Sequence, residues 1–295
     1  MATIKAFLDY LRLEKKYSIH TISAYNNDLV ALSDFISREF SETSINNIPY
    51  ALIRSWIISL VDSGISNRTI NRKVSSLKSY YNFLQKIEEL EVSPLIKHKS
   101  LKVEKRLQVP FSKKEVSDVL SGFTLNSFED YRDKAIVELF YSTGMRRSEL
   151  INLKLSDINI ANHYVKVLGK RNKERIIPLI ESVSLTLRQY FEIKDAEFKE
   201  SSKWVFVTSK NDKVYETLVY RIINNYFSKV SSKIKKSPHL LRHSFATHLL
   251  GEGANLNAVK DLLGHSSLAA TQVYTNNDIA VIKRAYSASH PRNKN

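Results

Sequence analysis

The sequence predicts a mainly α-helical chain in two parts: a four-helix bundle, then an α-rich domain carrying one small antiparallel sheet. Three observations predict it. Only 7 glycines and 6 prolines stand in 295 residues, well below the ~12% of average usage, so turn formers are scarce. Apolar residues recur at helical spacing through residues 4–87. Between Ile158 and Leu179 the period shortens toward two, which reads as strand.

Ile4, Phe7, Leu8 and Leu11 fall at i, i+3, i+4 and i+7, the spacing of one buried helical face. Ser18 and Thr21 are cap residues for a second helix with Ile22, Tyr25, Leu29, Leu32 and Ile36 on its apolar side. A third helix follows Pro49, carries Ile53, Trp56, Ile57 and Leu60, and ends near Gly64. The fourth has the clearest period, Ile70, Val74, Leu77, Tyr81, Leu84 and Ile87, with Arg68, Arg72, Lys73 and Lys78 on its other face. Four helices of this length make a small bundle. We therefore expect a first domain over 1–92.

Periodicity then dissolves. Between Pro94 and Pro110 stand Lys97, Lys99, Lys102, Lys105, Arg106 and His98 against one opposing charge, Glu104. Residues 93–110 read as a basic linker, or as a segment laid along a polyanion. The second domain is expected over 111–295. Ser112 caps a short helix, and Tyr131–Ser142 forms another that ends at Gly144. Ile158 with Ile160, Val165 with Val167, and Ile176 with Leu179 mark strands, with turns at Asn162–His163 and Arg171–Asn172. Trp204–Val207 is expected to add one strand more. Ser184–Lys199, Tyr215–Val230, Pro238–Leu250 and Leu256–Leu263 return to helix.

Composition narrows the function classes. The chain has no cysteine, which excludes disulfides, thiolate metal sites and a cysteine nucleophile. No apolar run approaches the ~20 residues of a membrane span, and Lys5 and Asp9 interrupt the first apolar stretch, unlike a secretory leader. A cytoplasmic protein with no membrane partner is expected. Lys and Arg number 45 against 30 Asp and Glu, a net charge of +15. That charge sits mostly beyond residue 97. A polyanion partner fits it, because each cation on a phosphate releases condensed counterions; a merely solvated basic surface fits nearly as well.

The stretch His239-Leu240-Leu241-Arg242-His243 opens after Pro238, a residue suited to the first helical turn. His239 and Arg242 then project from one face. The two histidines share the spacing of the HExxH zinc motif, but Leu240 replaces its glutamate and Arg242 would repel a cation. No metal site is expected.

Around this stretch stand Thr143-Gly144-Met145-Arg146-Arg147-Ser148-Glu149-Leu150, then Gly169-Lys170-Arg171-Asn172-Lys173-Glu174-Arg175, then Leu263-Gly264-His265-Ser266-Ser267, then Tyr274. In this order and spacing the chain resembles the tyrosine recombinases, the phage-integrase family of site-specific DNA recombinases, and is most similar to their bacterial Xer branch. The resemblance extends to Thr21–Leu29 in the first domain. Arg242 precedes His265 by 23 residues, and His265 precedes Tyr274 by nine. One such box is weak; four in order are specific.

The resemblance implies a SAM-like core-binding domain followed by a catalytic domain, the two clamped around DNA. It implies Arg146, Lys170, His239, Arg242, His265 and Tyr274 as the catalytic set, Tyr274 being the nucleophile. Arg147 stands where an aliphatic residue is common, and Arg171 replaces the usual glycine after Lys170. Lys173 is the weaker candidate for the lysine role.

The chemistry suits these residue types. Two guanidiniums grip a phosphodiester whose transition state gains charge. His239 and His265 donate to the same oxygens, and one of them takes the nucleophile's proton. Lys170 protonates the leaving 5′ oxygen as general acid. A free phenol has a pKa of ~10, so a cationic pocket also activates Tyr274. The 3′-phosphotyrosine keeps the bond energy, so no cofactor is needed. DNA contacts are assigned to Arg68, Arg72, Lys73, Lys78, Arg171 and Lys173, some touching phosphate and some merely solvated. Glu149 reads either as a partner that orients an arginine or as a solvated helix charge.

His243 and His248 read as packing or supporting residues, and His20, His98, His163 and His290 as surface. Residues 278–286 form an amphipathic segment that folds back on its own domain or, as the family implies, docks on a neighbouring protomer. The implied partners are a double-stranded recombination site, a homotetramer or a heterotetramer with a related recombinase, and a septal DNA translocase as activator. The implied setting is the bacterial nucleoid. Rival readings are a type IB topoisomerase, a non-catalytic DNA-binding regulator and a basic structural protein.

Overall fold

Two self-contained units make up the chain, residues 1–106 and 107–295. The computed structural model describes residues 2–42, 44–104, 108–169, 174–200 and 202–264.

In the first unit, α1 (Ala2–Leu13), α2 (Ile19–Phe40), α3 (Tyr50–Asp62) and α4 (Asn67–Lys86) form the expected bundle. Ser18 and Ser66 cap α2 and α4, each side chain accepting from the backbone N–H three residues on. That contact satisfies a donor the helix leaves open. The apolar stripes meet in one core built around Phe7, Leu32, Trp56, Leu77 and Tyr80. The hydroxyls of Tyr80 and Tyr81 donate to Asn46 Oδ1 (2.6 Å) and the Ile45 carbonyl (2.9 Å), which ties the 44–49 loop to α4.

The charged face of α4 is not uniform. Asp28 is buried on α2. Its carboxylate accepts from Arg72 at 2.6 and 2.9 Å, Lys73 at 3.0 Å and Ser76 at 2.7 Å. Of the four expected DNA-contacting residues here, Arg68 stays exposed, Arg72 keeps half its side chain in solvent, and Lys73 is turned inward onto Asp28. The segment after α4 is not a free linker throughout. Leu95 is buried, and Asn71 both donates to the Leu101 carbonyl and accepts its N–H. His98, read as a surface residue, is half-buried and shares a 3.0 Å hydrogen bond with the Tyr50 hydroxyl.

The second unit holds α5 (Lys113–Ser121), α6 (Phe128–Thr143), α7 (Arg147–Ile151), α8 (Glu181–Glu197), α9 (Glu216–Ser228), α10 (Pro238–Gly251) and α11 (Leu256–Leu263). A meander of β1 (Ile158–Asn159), β2 (Tyr164–Leu168) and β3 (Glu174–Pro178) stands between α7 and α8. Both pairings are antiparallel, with Val165 opposite Ile177 and Val167 opposite Arg175. Helix α6 is the axis of the unit: every residue from Ala135 to Thr143 is buried, and α5, α8, α9 and α10 pack on it. It begins earlier than expected, at Phe128, because Ser127 and Asp130 form a reciprocal capping box. The expected strand at Trp204–Val207 is instead a loop with two isolated bridges, Lys154 to Trp204 and Val207 to Lys213. Its carbonyls at Trp204 and Val205 accept from the buried ammonium of Lys194 on α8, so they are unavailable to a sheet. Among the described residues no helix is long and apolar enough to cross a membrane.

Asp28 is the group on which the first unit's pH response should turn. Burial alone would raise its carboxyl; the hydrogen bonds from Arg72, Ser76 and Lys73 outweigh burial and hold it below the ordinary 3.8. A lowered folded value means stability that is present above 3.8 and lost as pH falls through the folded value. With Trp204→Phe leaving Trp56 as the reporter, Asp28→Asn should lower urea stability by about 2 kcal/mol at neutral pH. The gap to the native side chain should close in acid; a gap unchanged by pH would refute the assignment.

Candidate active site

The α6 helix ends at Gly144, whose φ of +56° lies in the left-handed region. A Cβ there would stand 2.2 Å from the Phe245 ring and 2.9 Å from Leu263. Only glycine lets the chain turn this tightly under α10 and α11. Two residues later Arg146 occupies the N-cap position of α7.

Arg146 is held by Glu149, three residues on. Its backbone N–H donates to Glu149 Oε2 at 2.6 Å and its Nη1 to Oε1 at 2.7 Å. Its Nη2 donates to the Gly264 carbonyl at 2.8 Å. Helix α10 starts with Ser237 as cap, whose side chain accepts the Leu240 N–H, and Pro238 in its first turn. That start aims His239 and Arg242 to one side. Arg242 is buried, and donates to the Gly144 carbonyl and the Leu263 carbonyl, each at 2.6 Å. His239 is exposed.

Arg146, His239 and Arg242 meet on one open cavity of about 730 Å³, together with Arg147, Ser148 and His243. Residues separated by some hundred positions thus face the same space. A second hollow of about 660 Å³ runs from Arg146 past Lys166 to Gly169 and Glu174, the two residues that flank positions 170–173. Lys170, Arg171, Lys173, His265 and Tyr274 lie outside the described residues, as does the amphipathic segment at 278–286. Arg147 is ion-paired with Glu216 on α9. Lys78 is half-buried on α4, in the first unit.

The electrostatics follow from the packing. Burial, and then the charge of Arg146, pull Arg242 from 12.5 down to about 10. It stays protonated at neutral pH, and an anion in the cavity would relieve the repulsion between the two guanidiniums. Burial opposes ionisation of Glu149, but Arg175 and next Arg146 outweigh it and hold the carboxyl at about 2 against an ordinary 4.5. Glu149 is therefore a buried anion that orients Arg146, and not a solvated helix charge. Among the described residues no group of three or more His, Asp or Glu side chains is placed to hold a metal ion. His248 is buried and shares a 2.9 Å hydrogen bond with the Tyr141 hydroxyl, a packing role; His243 is exposed. His163, read as surface, is half-buried against Ser184 at 2.9 Å.

Sequence reasoning missed Arg175. It is buried, its fork takes both Glu149 oxygens at 2.9 and 2.8 Å, and its Nε donates to the Leu262 carbonyl at 2.8 Å. One signal was present: in the alternation of β3, position 175 shares its side with Ile177, so a charge there needed a partner inside.

Comparison with known proteins agrees with this layout. The phage integrase family model matches residues 110–280, and that of the phage integrase N-terminal SAM-like domain matches residues 4–87. A tyrosine recombinase XerC of Chlorobaculum tepidum is 35% identical over 97% of this chain and 93% of its own length. A tyrosine recombinase XerD of Staphylococcus aureus is 35% identical over 98% of both chains. Among solved structures, a XerH site-specific recombinase bound to a palindromic difH substrate aligns with a TM-score of 0.71 at 20% identity, covering 96% of this chain and 83% of that one. A lambda integrase dimer on a core site aligns at 0.69 and 17% identity, covering 92% and 98%. At those identities the two structures speak for the fold.

Removing the Glu149 charge leaves two guanidiniums without their buried partner, a change that costs about 3–5 kcal/mol in comparable pairs. Because its carboxyl lies at about 2 when folded and 4.5 when free, the stability it gives is complete above 4.5 and fades toward 2. Glu149→Gln should therefore melt well below the native chain at neutral pH and converge with it in strong acid. Equal melting temperatures at pH 7 would refute the role.

Proposed function

This chain belongs to the phage integrase family and is a tyrosine-type, Xer-like site-specific DNA recombinase, and on that footing we propose that it cleaves and rejoins DNA through a phosphotyrosine formed on Tyr274. In this reading the Tyr274 oxygen attacks the scissile phosphorus in line with the 5′ oxygen. The bond to that 5′ oxygen breaks, leaving a 3′-phosphotyrosine and a 5′-hydroxyl. Lys170 gives the leaving oxygen its proton, and His239 or His265 takes the phenol's proton. Rejoining runs the same steps backward with a 5′-hydroxyl from the partner strand, so the number of phosphodiester bonds is conserved.

The observation that carries the reading is the meeting of Arg146, His239 and Arg242 on one cavity. Two guanidiniums held by carbonyls and a carboxylate, with N–H groups left over, form a preorganised grip for a phosphate whose charge grows in the transition state. Neither guanidinium need reorganise to meet a phosphate, because Glu149, Gly144 and the end of α11 already fix both side chains.

The same proposal has two protomers on each of two sites, paired as a tetramer that exchanges strands in two steps through a Holliday junction. The partner is a second copy or a related recombinase, with a septal DNA translocase as the activating partner. The biological task is chromosome-dimer resolution or the movement of a mobile element. Full-length similarity to XerC and XerD, including the first unit, favours pairing of sites over simple relaxation of supercoils.

Covalent protein–DNA adducts trapped by denaturant and mapped on genomic DNA should fall at one discrete site, and Tyr274→Phe should abolish them. On a nicked suicide duplex of that site, His239→Ala should slow adduct formation by roughly 10²–10³ while leaving binding intact. An adduct that survives Tyr274→Phe would overturn the proposal.

A further inference from the structure

Three arginines end on three successive carbonyls. Arg175 Nε donates to the oxygen of Leu262, Arg242 Nη2 to that of Leu263 and Arg146 Nη2 to that of Gly264, at 2.8, 2.6 and 2.8 Å. These oxygens close α11, the end of a helix where carbonyls lack intrahelical partners and the dipole is negative. Arg146 and Arg242 also face the cavity; Arg175 borders neither hollow and is only 6% exposed.

Yet Arg175 touches the carboxylate that holds Arg146 and the helix end that both other arginines grip. Its fork occupies both Glu149 oxygens, and those same oxygens accept the Nη1 and the backbone N–H of Arg146. The plane of the Glu149 carboxylate, and so the direction of Arg146, is set from the Arg175 side. Its Nε pins Leu262, one residue before the carbonyl that Arg242 grips. The Gly264 Cα lies over its guanidinium so closely that a Cβ would stand 3.1 Å from Nη1. Arg175 also stands on β3, the strand that follows positions 170–173.

Stability alone does not call for such a pair, since apolar residues of equal volume commonly serve as well. What a planar fork with a third N–H supplies is direction. We propose that Arg175 is a positioning residue for strand cleavage: without touching DNA it sets the separation and aim of Arg146 and Arg242. The inference rests on the reading that these two arginines grip the scissile phosphate.

The test uses the full chain on a nicked suicide duplex of its own site, with Arg175→Lys and Arg175→Gln. Each should bind that duplex within about twofold of the native protein, yet form the covalent adduct roughly 100-fold more slowly at saturating DNA, the cost of a misplaced grip. Glu149→Gln should show a similar slowing, and the Glu149→Gln/Arg175→Gln pair should be no slower than the slower single variant, because the two act as one unit. Arg132→Met, which removes a buried arginine paired with Asp133 elsewhere in the unit, should keep the native rate.

Native adduct rates in the Arg175 variants would overturn the inference. So would losses of rate that multiply with Glu149→Gln, or that only mirror lost DNA affinity. If Arg175→Gln does not stay folded, Arg175→Lys, which keeps a charge beside Glu149 but not the planar fork, carries the test; the same slowing is expected, and a native rate would overturn the inference. Tyr274→Phe run alongside separates the two levels, because an adduct in that variant faults the nucleophile assignment, whatever Arg175 does.

Discussion

One buried carboxylate governs the catalytic unit. Glu149 is 7% exposed, and its two oxygens receive two hydrogen bonds from Arg175 and two from Arg146. A charge in that setting is costly unless every lone pair is used, and here one of the two cations that use them, Arg146, also lines the cavity. The carboxylate therefore converts a desolvation penalty into orientation. Arg242 is fixed differently, by the carbonyls of Gly144 and Leu263. Carbonyls orient a guanidinium but do not neutralise it, so the cavity keeps an excess of positive charge for an anion.

The first unit solves a related problem with another aim. Asp28 is as deeply buried as Glu149, and Arg72, Lys73 and Ser76 converge on it from α4. There the network staples α2 to α4, and half of Arg72 still faces solvent. The same device, an acid sunk beneath basic residues, fastens two helices in one unit and aims a guanidinium in the other.

Much of the architecture was legible from local chemistry. Helices with a one-sided apolar stripe and a serine cap, such as α2 and α4, begin where Ser18 and Ser66 stand. The second strand was readable from Val165 and Val167, which alternate cleanly, whereas the third was read from Ile176 and Leu179 and instead buries Arg175 and Ile177, with Leu179 beyond its end. Helix α6 was harder to delimit because from Ala135 to Thr143 it is buried on all sides, which erases the period a surface helix shows. Trp204–Val207 has strand composition but yields its carbonyls to Lys194, a partner ten residues or more away that no local pattern announces. Within the site, Arg146, His239 and Arg242 were found through ordered motifs. Arg175 escaped because its meaning lies in contacts to Glu149 and Leu262, far along the chain. The inward turn of Lys73 escaped for the same reason: a basic helical face looks alike whether water or a buried acid receives it.

The end of α11 has a consequence for length rather than for composition. Each helical residue advances the backbone by about 100°, so the oxygens of Leu262 and Leu263 sit at different places around the axis, left-handed Gly264 turns a third off the helical path, and a different guanidinium meets each. Deleting or inserting one residue inside this eight-residue helix would rotate all three out of phase at once, however conservative the side chains. Most of its exposed positions are free to vary in kind, but the number of residues is dictated by where those three oxygens must face.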